Sequence, residues 1–239
     1  MTKIKWLAVG VLAAVVLVVG GTWVYINVIR DDAPPPLALS DEAEPDEAEP
    51  DAAAPDDSSD PEVGDDIDDA PVDGTWVPVD GSVIGYRVAE ILLGQSAEAV
   101  GRTDQIDGSV TIDATAVTAA TFEVDVASIE SDDDRRDRQF RGRIMDVANH
   151  PIATLVLTDP IELGSEPANG ETTTADLTLR GTTRSVEIEL EARRDGERIE
   201  VLGSIPIGFA EWGIPSPSAP GIDTEDEGLL EFLVVLERS

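Results

Sequence analysis

The feature that most constrains this chain is a two-residue alternation of apolar and polar side chains, which runs through residues 74–239 and is absent before them. In one such run, Val186 and Ile188 alternate with Glu187 and Glu189. Successive side chains of a β-strand point to opposite faces of the sheet, so this rhythm predicts strands with one buried and one wet face. Helical periodicity is scarce over the same residues.

Turn residues divide this region into ten predicted strands, and the fold class that we expect is all-β and antiparallel. Asp107-Gly108, Arg180-Gly181 and Asp195-Gly196 supply residues that tolerate a positive φ between strands. Successive hairpins build either a sandwich or a barrel, and a barrel of about eight strands can enclose a ligand. The strands are expected at residues 75–79, 82–90, 97–103, 106–113, 119–129, 153–163, 172–180, 183–193, 198–209 and 228–238.

One short helix interrupts the β pattern over residues 131–137. Ser131 is expected to be its N-cap, and the aspartates that follow complement the positive end of a helix. Asp132, Asp133, Asp134 and Asp137 could also gather a calcium ion, although they lack the alternating ligands and central glycine of an EF-hand loop. We therefore interpret them as helix-capping residues and expect the helix to cover one mouth of a barrel.

The N-terminal residues 1–30 form a separate unit. Residues 6–29 are almost continuously apolar, which is long enough for a helix to cross a hydrocarbon core of about 30 Å. Lys3 and Lys5 precede the run, so the N-terminus is expected to stay in the cytoplasm and residues 74–239 to lie outside. The alternative is a cleaved signal peptide and a secreted protein.

Residues 31–73 contain 18 of the 50 acidic residues together with repeated alanine and proline, and they offer almost nothing to bury. Such a composition predicts a disordered acidic linker. It is either a spacer that holds the folded domain away from the bilayer or a simple solubilising tether.

Charge and cysteine content exclude several classes of function. The chain carries a net charge of -34, and residues 74–239 set 13 arginines and no lysine against 32 acidic residues. A phosphate backbone would be repelled, so nucleic acid is not expected as a partner. There is no cysteine, which rules out disulfides and cysteine-ligated metals. No metal or cofactor is expected.

Several blocks of the predicted barrel resemble the YceI-like family of lipid- or polyisoprenoid-binding proteins. They occur in the family's order along the chain. The blocks are TWVPVD at 75–80, SVIGYRV at 82–88, VDVASI at 124–129, RD at 136–137, Phe140, MDV at 145–147, HPIAT at 150–154 and ADLTLRGTTRSV at 175–186. The chain departs from the family at Gly81 and Glu90, where the family often has histidine.

The resemblance implies a lipocalin-like barrel whose interior takes a long isoprenoid or fatty chain, without a cofactor or established catalysis. The alternation of the strands gives the inward-facing side chains that would line such a tunnel. We expect the ligand-binding residues to be Tyr86, Val88, Phe122, Val124, Leu155, Leu157, Leu177 and Leu179. For each of them, plain core packing is the alternative.

The leading hypothesis is therefore a single-pass, membrane-tethered binding protein for a polyisoprenoid or fatty amphiphile. The alternative is a surface-displayed structural or protein-interaction domain with a filled barrel, and a homodimer is left open. An enzyme is not expected, because the sole histidine, His150, would have to serve any Ser-His-Asp triad and no nucleophile motif accompanies it.

Overall fold

The computed structural model describes residues 33–40, 72–92, 94–163, 169–218 and 221–239. Within this described part, no helix is both long and apolar enough to span a bilayer. The predicted transmembrane segment, residues 6–29, lies outside the described residues, as do residues 41–71 of the predicted linker.

The predicted β-rich domain is confirmed, because alternating sequences pair along most of its length. The strands of the described residues are β1 (Gly74–Pro78), β2 (Val83–Leu92), β3 (Gln95–Thr103), β4 (Ile106–Asp113), β5 (Ala116–Asp125), β6 (Glu130–Ser131), β7 (Ile152–Leu157), β8 (Ile161–Glu162), β9 (Asn169–Leu179), β10 (Thr182–Asp195), β11 (Arg198–Gly208), β12 (Ile222–Thr224) and β13 (Glu227–Arg238).

Strand pairing closes this sheet into an antiparallel barrel. β13 pairs with β11 on one edge, and on its other edge with β2 and then with β1. β1 and β2 are therefore two halves of one bent strand, and β3 and β4 are halves of the next. Counted in this way, the described strands make an eight-membered meander in the order β1/β2, β3/β4, β5, β7, β9, β10, β11, β13.

One end of the barrel, which we call the helix end, carries the connection between β5 and β7. This connection contains the α-helix α1 (Asp134–Gln139), which continues into a π-helical turn (Phe140–Ile144). Gln139 donates to the carbonyl of Pro217 at 3.0 Å, and Arg143 donates to the carbonyl of Ser216 at 2.8 Å. These bonds join the helical segment to the loop between β11 and β13, so both elements cover the same mouth.

The turn predictions are confirmed at two positions and wrong at a third. Arg180-Gly181 and Asp195-Gly196 form hairpin turns, with φ of 75° at Gly181 and 59° at Gly196. Asp107-Gly108 instead lies inside β4. A Cβ at Gly108 would stand 2.3 Å from the carbonyl oxygen of Thr121, so glycine is needed there for close approach of β5 and not for a turn.

Two predicted strands are interrupted. The stretch 153–163 breaks after Leu157, and Thr158 turns its hydroxyl to the carbonyl of Thr174 at 2.9 Å. Pro160 follows and has no N–H with which to continue the ladder. The stretch 119–129 ends at Asp125, whose carboxylate accepts the N–H of Ala127 at 2.9 Å and caps a 3₁₀ turn.

The helix prediction is correct in place but wrong in its N-cap. Asp133 is the N-cap residue and accepts the N–H of Arg135 at 2.7 Å, so α1 begins at Asp134. Ser131 lies in β6, just before the cap, and its hydroxyl donates to the Asp137 carboxylate at 2.7 Å.

Candidate functional site: an apolar cavity with one polar end

The interior of the barrel is hollow, with a cavity of about 570 Å³. This volume falls within the range of about 300–1,000 Å³ that is typical of small-molecule sites. Side chains from all eight members of the meander line it, and apolar groups predominate. An apolar cavity gives water few hydrogen-bond partners, so the space suits a hydrocarbon better than it suits solvent.

The structure places all eight residues predicted to bind the ligand in the wall of this cavity, namely Tyr86, Val88, Phe122, Val124, Leu155, Leu157, Leu177 and Leu179. Strand register explains part of this arrangement. Phe122 lies opposite Leu155, and Leu155 lies opposite Leu177, so the three form a row across β5, β7 and β9. Contact between these side chains and a bound molecule stays a prediction.

The sequence-based choice left out the other half of the wall, which belongs to β4, β10, β11 and β13. These strands show the same alternation, which was a sufficient signal to find them. The additional wall residues include Val110, Ile112, Ile188, Leu190, Ile205, Ile207, Val234 and Leu236.

The charged side chains of the lining are gathered at the helix end. Near the opposite end, where the β10–β11 hairpin turns, the lining includes Val72, Val117, Leu163 and Ile199. The polar groups of the helix end are Glu90, Asp133, Arg135, Arg136, Gln139 and Thr224. The cavity is therefore amphiphilic along its length, with a polar mouth and an apolar shaft.

Tyr86 marks the boundary between these two parts. Its ring stacks on Phe140 with a centroid separation of 4.9 Å, and it also lies against Gly101, where a Cβ would come within 2.5 Å of the ring. Its hydroxyl is hydrogen-bonded to Ser131, and burial raises the pKa of Tyr86 to about 12 against the partly opposing charge of Arg136. The phenol is thus a neutral hydrogen-bonding group near the polar mouth.

Glu90 and Arg136 form the charged pair of this mouth. Glu90 is 8% exposed and lies opposite Thr224 at the end of β2. The Arg136 guanidinium is 3.5 Å from the Glu90 carboxylate and also pairs with Asp132. Burial alone would lower the pKa of Arg136, but the two carboxylates outweigh it and raise that pKa. Arg136 therefore stays protonated beside the cavity.

Three of the four aspartates at the helix start are engaged with protein groups. Asp133 caps α1, Asp132 pairs with Arg136, and the buried Asp137 accepts the backbone N–H of Ser131 at 3.0 Å. No group of three or more His, Cys, Asp or Glu side chains among the described residues could hold a metal ion. Helix capping thus accounts for the role of Asp133, as the sequence indicated.

His150 lies at the helix end, beside the β9–β10 turn. Its imidazole is so close to Gly181 that a Cβ there would come within 2.6 Å of Cε1. Its backbone N–H donates to the carbonyl of Asp146 at 3.0 Å. These contacts give His150 a packing role against the turn.

An antiparallel eight-stranded meander around an apolar cavity, with one helical segment at its mouth, defines a lipocalin-like barrel. The chain belongs to the YceI-like family, because the family model for the YceI-like domain matches residues 77–236, well over half of its length. The resemblance seen in the sequence is thereby confirmed.

Curated relatives match over part of their length. A UPF0312 protein of Shewanella denitrificans is 29% identical over 131 residues, which span 51% of this chain and 66% of that protein. A UPF0312 protein of Vibrio parahaemolyticus is 32% identical over 99 residues, spanning 38% of this chain and 51% of the relative. The matches therefore cover between half and two thirds of the relatives.

One solved structure shares the fold at low sequence identity, and a second is similar to a lesser degree. A polyisoprenoid-binding domain from Saccharophagus degradans superposes with a TM-score of 0.54 at 16% identity and covers 70% of this chain and 99% of that domain. The BcnA protein of Burkholderia cenocepacia gives a TM-score of 0.49 at 20% identity, over 63% of this chain and 95% of the other.

Proposed function

We propose that this protein binds a polyisoprenoid or related amphiphile, with the hydrocarbon chain along the barrel and the head group at the helix end. The observation that carries the proposal is the amphiphilic cavity of about 570 Å³, whose lining is mainly apolar and whose charged side chains all lie near α1. Membership of the YceI-like family and the shared fold of the polyisoprenoid-binding domain from Saccharophagus degradans support the same ligand class.

Burial of the hydrocarbon supplies the affinity. Each methylene transferred from water contributes about 0.8 kcal/mol, so ten carbons would contribute about 8 kcal/mol before the cost of ordering the ligand. The wall is mainly aliphatic, with Tyr86, Phe122, Phe140, Phe209 and Phe232 as its aromatic members among the described residues. Such a wall adapts to a flexible chain better than to a flat aromatic molecule.

The charges at the mouth favour an uncharged head group. Two acidic and two basic residues of the described part line it, Glu90 and Asp133 against Arg135 and Arg136, so their formal charges cancel. An alcohol or a carbonyl can exchange hydrogen bonds with such groups, whereas an anionic head would meet the Glu90 carboxylate as well as Arg136. We therefore propose a prenol or prenylated ketone rather than a prenyl phosphate.

The second part of the proposal is location: a membrane tether through residues 6–29, with the barrel on the outer side. The apolar run and its preceding lysines support this. In alkaline extraction of membranes the full chain should stay with the bilayer, and in spheroplasts added protease should degrade the barrel. Release of the full chain into the soluble fraction would contradict the tether but would leave the ligand proposal unaffected.

Calorimetry of the full chain in detergent-free nanodiscs tests the ligand. Farnesol should bind, and farnesyl phosphate should bind more weakly. Arg136→Gln should lower farnesol affinity by about tenfold, corresponding to one lost charge-assisted hydrogen bond of about 1.4 kcal/mol. Arg198→Gln is the matched control, because Arg198 pairs with Glu237 on the outer wall, away from the cavity.

Absence of prenol binding, together with native mass spectra that show an empty protein from its own cells, would defeat the ligand proposal. Capture of a single envelope protein by cross-linking under the same conditions would then favour the structural alternative.

A further inference from the structure

Residues 33–40, which we call the strap, lie on the outer wall of the barrel and contact it at two places. At one end, the carbonyl of Pro34 accepts from Arg87 on β2 at 2.8 Å and the carbonyl of Pro35 accepts from Arg102 on β3 at 2.5 Å. At the other end, the N–H of Ser40 donates to Glu200 on β11 at 3.2 Å. Because β11, β13, β2 and β3 are successive neighbours, the strap crosses the strands.

The two arginines are held in place by a buried carboxylate. Glu231 on β13 is only 4% exposed, and its Oε1 lies 2.8 Å from Nη2 of Arg102. Its Oε2 accepts from Nε of Arg87 at 3.3 Å. Each guanidinium has several N–H donors in a fixed fork, so one carboxylate can orient both while Nη2 of each reaches a strap carbonyl.

The backbone leaves room for this cluster at Gly85. In the register of the sheet, Gly85 on β2 lies between Glu231 on β13 and Arg102 on β3. A Cβ at this glycine would come within 2.9 Å of Cγ of Arg102. The missing side chain therefore lets Arg102 lie across β2 and reach Glu231.

The second contact is centred on another buried carboxylate. Glu200 is 6% exposed and accepts from Arg193 on β10 at 3.0 Å as well as from both the N–H and the hydroxyl of Ser40. Leu39, next to Ser40, is 7% exposed, which is as low as many core residues.

The composition of the strap fits these contacts. Proline has no N–H, so Pro34, Pro35 and Pro36 offer only carbonyl acceptors, and the wall presents arginine donors to two of them. A run of prolines is already extended in the free chain, which lowers the entropy lost on binding.

We propose that this outer wall is a binding site for a proline-rich extended peptide, and that its occupant is the chain's own strap, which holds the barrel close to the membrane. The inference of membrane proximity rests on the proposed tether. Ala33 lies three residues beyond Arg30, the end of the apolar unit, a reach of about 10 Å. Without the strap contact, the 44 residues from Arg30 to Gly74 would span roughly 35–40 Å as a flexible chain, and more with like charges.

The same contacts imply a different role for the acidic residues 41–71. Ser40 is bound to β11, and the carbonyl of Val72 accepts from Nε1 of Trp76 on β1 at 2.8 Å. Residues 41–71 thus connect two points on one barrel. In this arrangement they are not the spacer between barrel and bilayer.

Energy transfer in nanodiscs tests the proposal on the full chain. The protein has no native cysteine, so a donor dye can be placed on Glu197→Cys in the exposed β10–β11 turn, with acceptors on the lipid head groups. The strap variant carries Leu39→Asp with Ser40→Ala, and the matched control carries Ala53→Asp with Ser58→Ala in the stretch 41–71. Transfer should fall in the strap variant and stay at the wild-type value in the control.

Measurable transfer that is equal in the wild type and the strap variant would overturn the proposal. Hydrogen exchange on the full chain in detergent gives a second readout: amides 37–40 should exchange at least tenfold faster in the strap variant than in the wild type. If neither the wild type nor the variants show transfer, the tether has failed, and exchange still decides whether the strap binds the wall. Farnesol binding should be the same in all of them, so failure of the ligand proposal is recognised separately.

Discussion

Ala120 and Ala119 are adjacent on β5 but point in opposite directions, which makes them a sharp test of whether the barrel is hollow. Ala120 lines the cavity, whereas Ala119 is exposed on the outer face. Ala120→Leu adds three carbons to a space with room for them, so about 0.8 kcal/mol per buried methylene gives a gain of about 2 kcal/mol in the free energy of unfolding of the ligand-free protein. Ala119→Leu should change stability by less than about 0.5 kcal/mol.

The same substitution should work against the ligand. If the new side chain displaces three ligand methylenes, the loss of about 2.4 kcal/mol corresponds to roughly 50-fold weaker binding. Urea unfolding of the delipidated protein and calorimetry with farnesol measure the two effects. In a filled barrel, Ala120→Leu would overpack the core and destabilise it by about 1–3 kcal/mol, and that result would refute the reasoning.

Three further predictions concern particular buried groups. With Tyr25→Phe, Tyr86 becomes the sole phenol, and its phenolate absorbance should appear only near pH 12. Since the fold favours the neutral form, the contribution of Tyr86 to stability should be constant below about pH 10 and should be lost as the pH rises toward 12. Ionisation near pH 10 would contradict its burial. Gly203→Ala should destabilise the barrel by about 1–3 kcal/mol in thermal unfolding, because the new Cβ would come within 2.3 Å of the Phe232 ring. Gly142→Ala is the control and should be neutral or stabilising, because the space around Gly142 is open. Glu231→Ala should lower the free energy of unfolding in urea by about 3–5 kcal/mol, because Arg87 and Arg102 lose their buried carboxylate partner. A decrease below about 1 kcal/mol would contradict the assigned role.

The barrel wall could be predicted from sequence because it obeys a local rule. Alternation along β5, β7 and β9 places Phe122, Leu155 and Leu177 on one face whatever the rest of the chain does. Pro160 was a sequence signal for the interruption after Leu157. The close approach at Gly108 could not be predicted in the same way, because it depends on which strand lies alongside. A glycine needed for packing looks the same in sequence as a glycine needed for a turn.

The polar mouth could not be predicted because its members come together only in the folded chain. Glu90 lies near the end of β2 and Arg136 lies 46 residues later in α1, and the helical segment brings them within 3.5 Å. The sequence showed Glu90 only as a departure from the family. The N-cap was misplaced for a related reason: Ser131 and Asp133 are both good capping residues, and the bond from Ser131 to Asp137 leaves the cap to Asp133.

The strap lacks any periodic pattern, and it lies within the predicted acidic linker although it contains no acidic residue itself. Its contacts depend on arginines and glutamates that lie more than 50 residues away in the chain, which no local rule detects. A short proline-rich segment beside a charged wall is therefore recognised only when the structure shows both.

The central claim is that the cavity holds an amphiphile with its head at the helix end. A crystal structure of the protein grown with farnesol tests it most directly. The account predicts continuous density along the barrel, with the hydroxyl within hydrogen-bonding distance of Tyr86, Glu90 or Arg136. An empty cavity at saturating farnesol, or a hydroxyl beside Val72 and Ile199 at the opposite end, would contradict it.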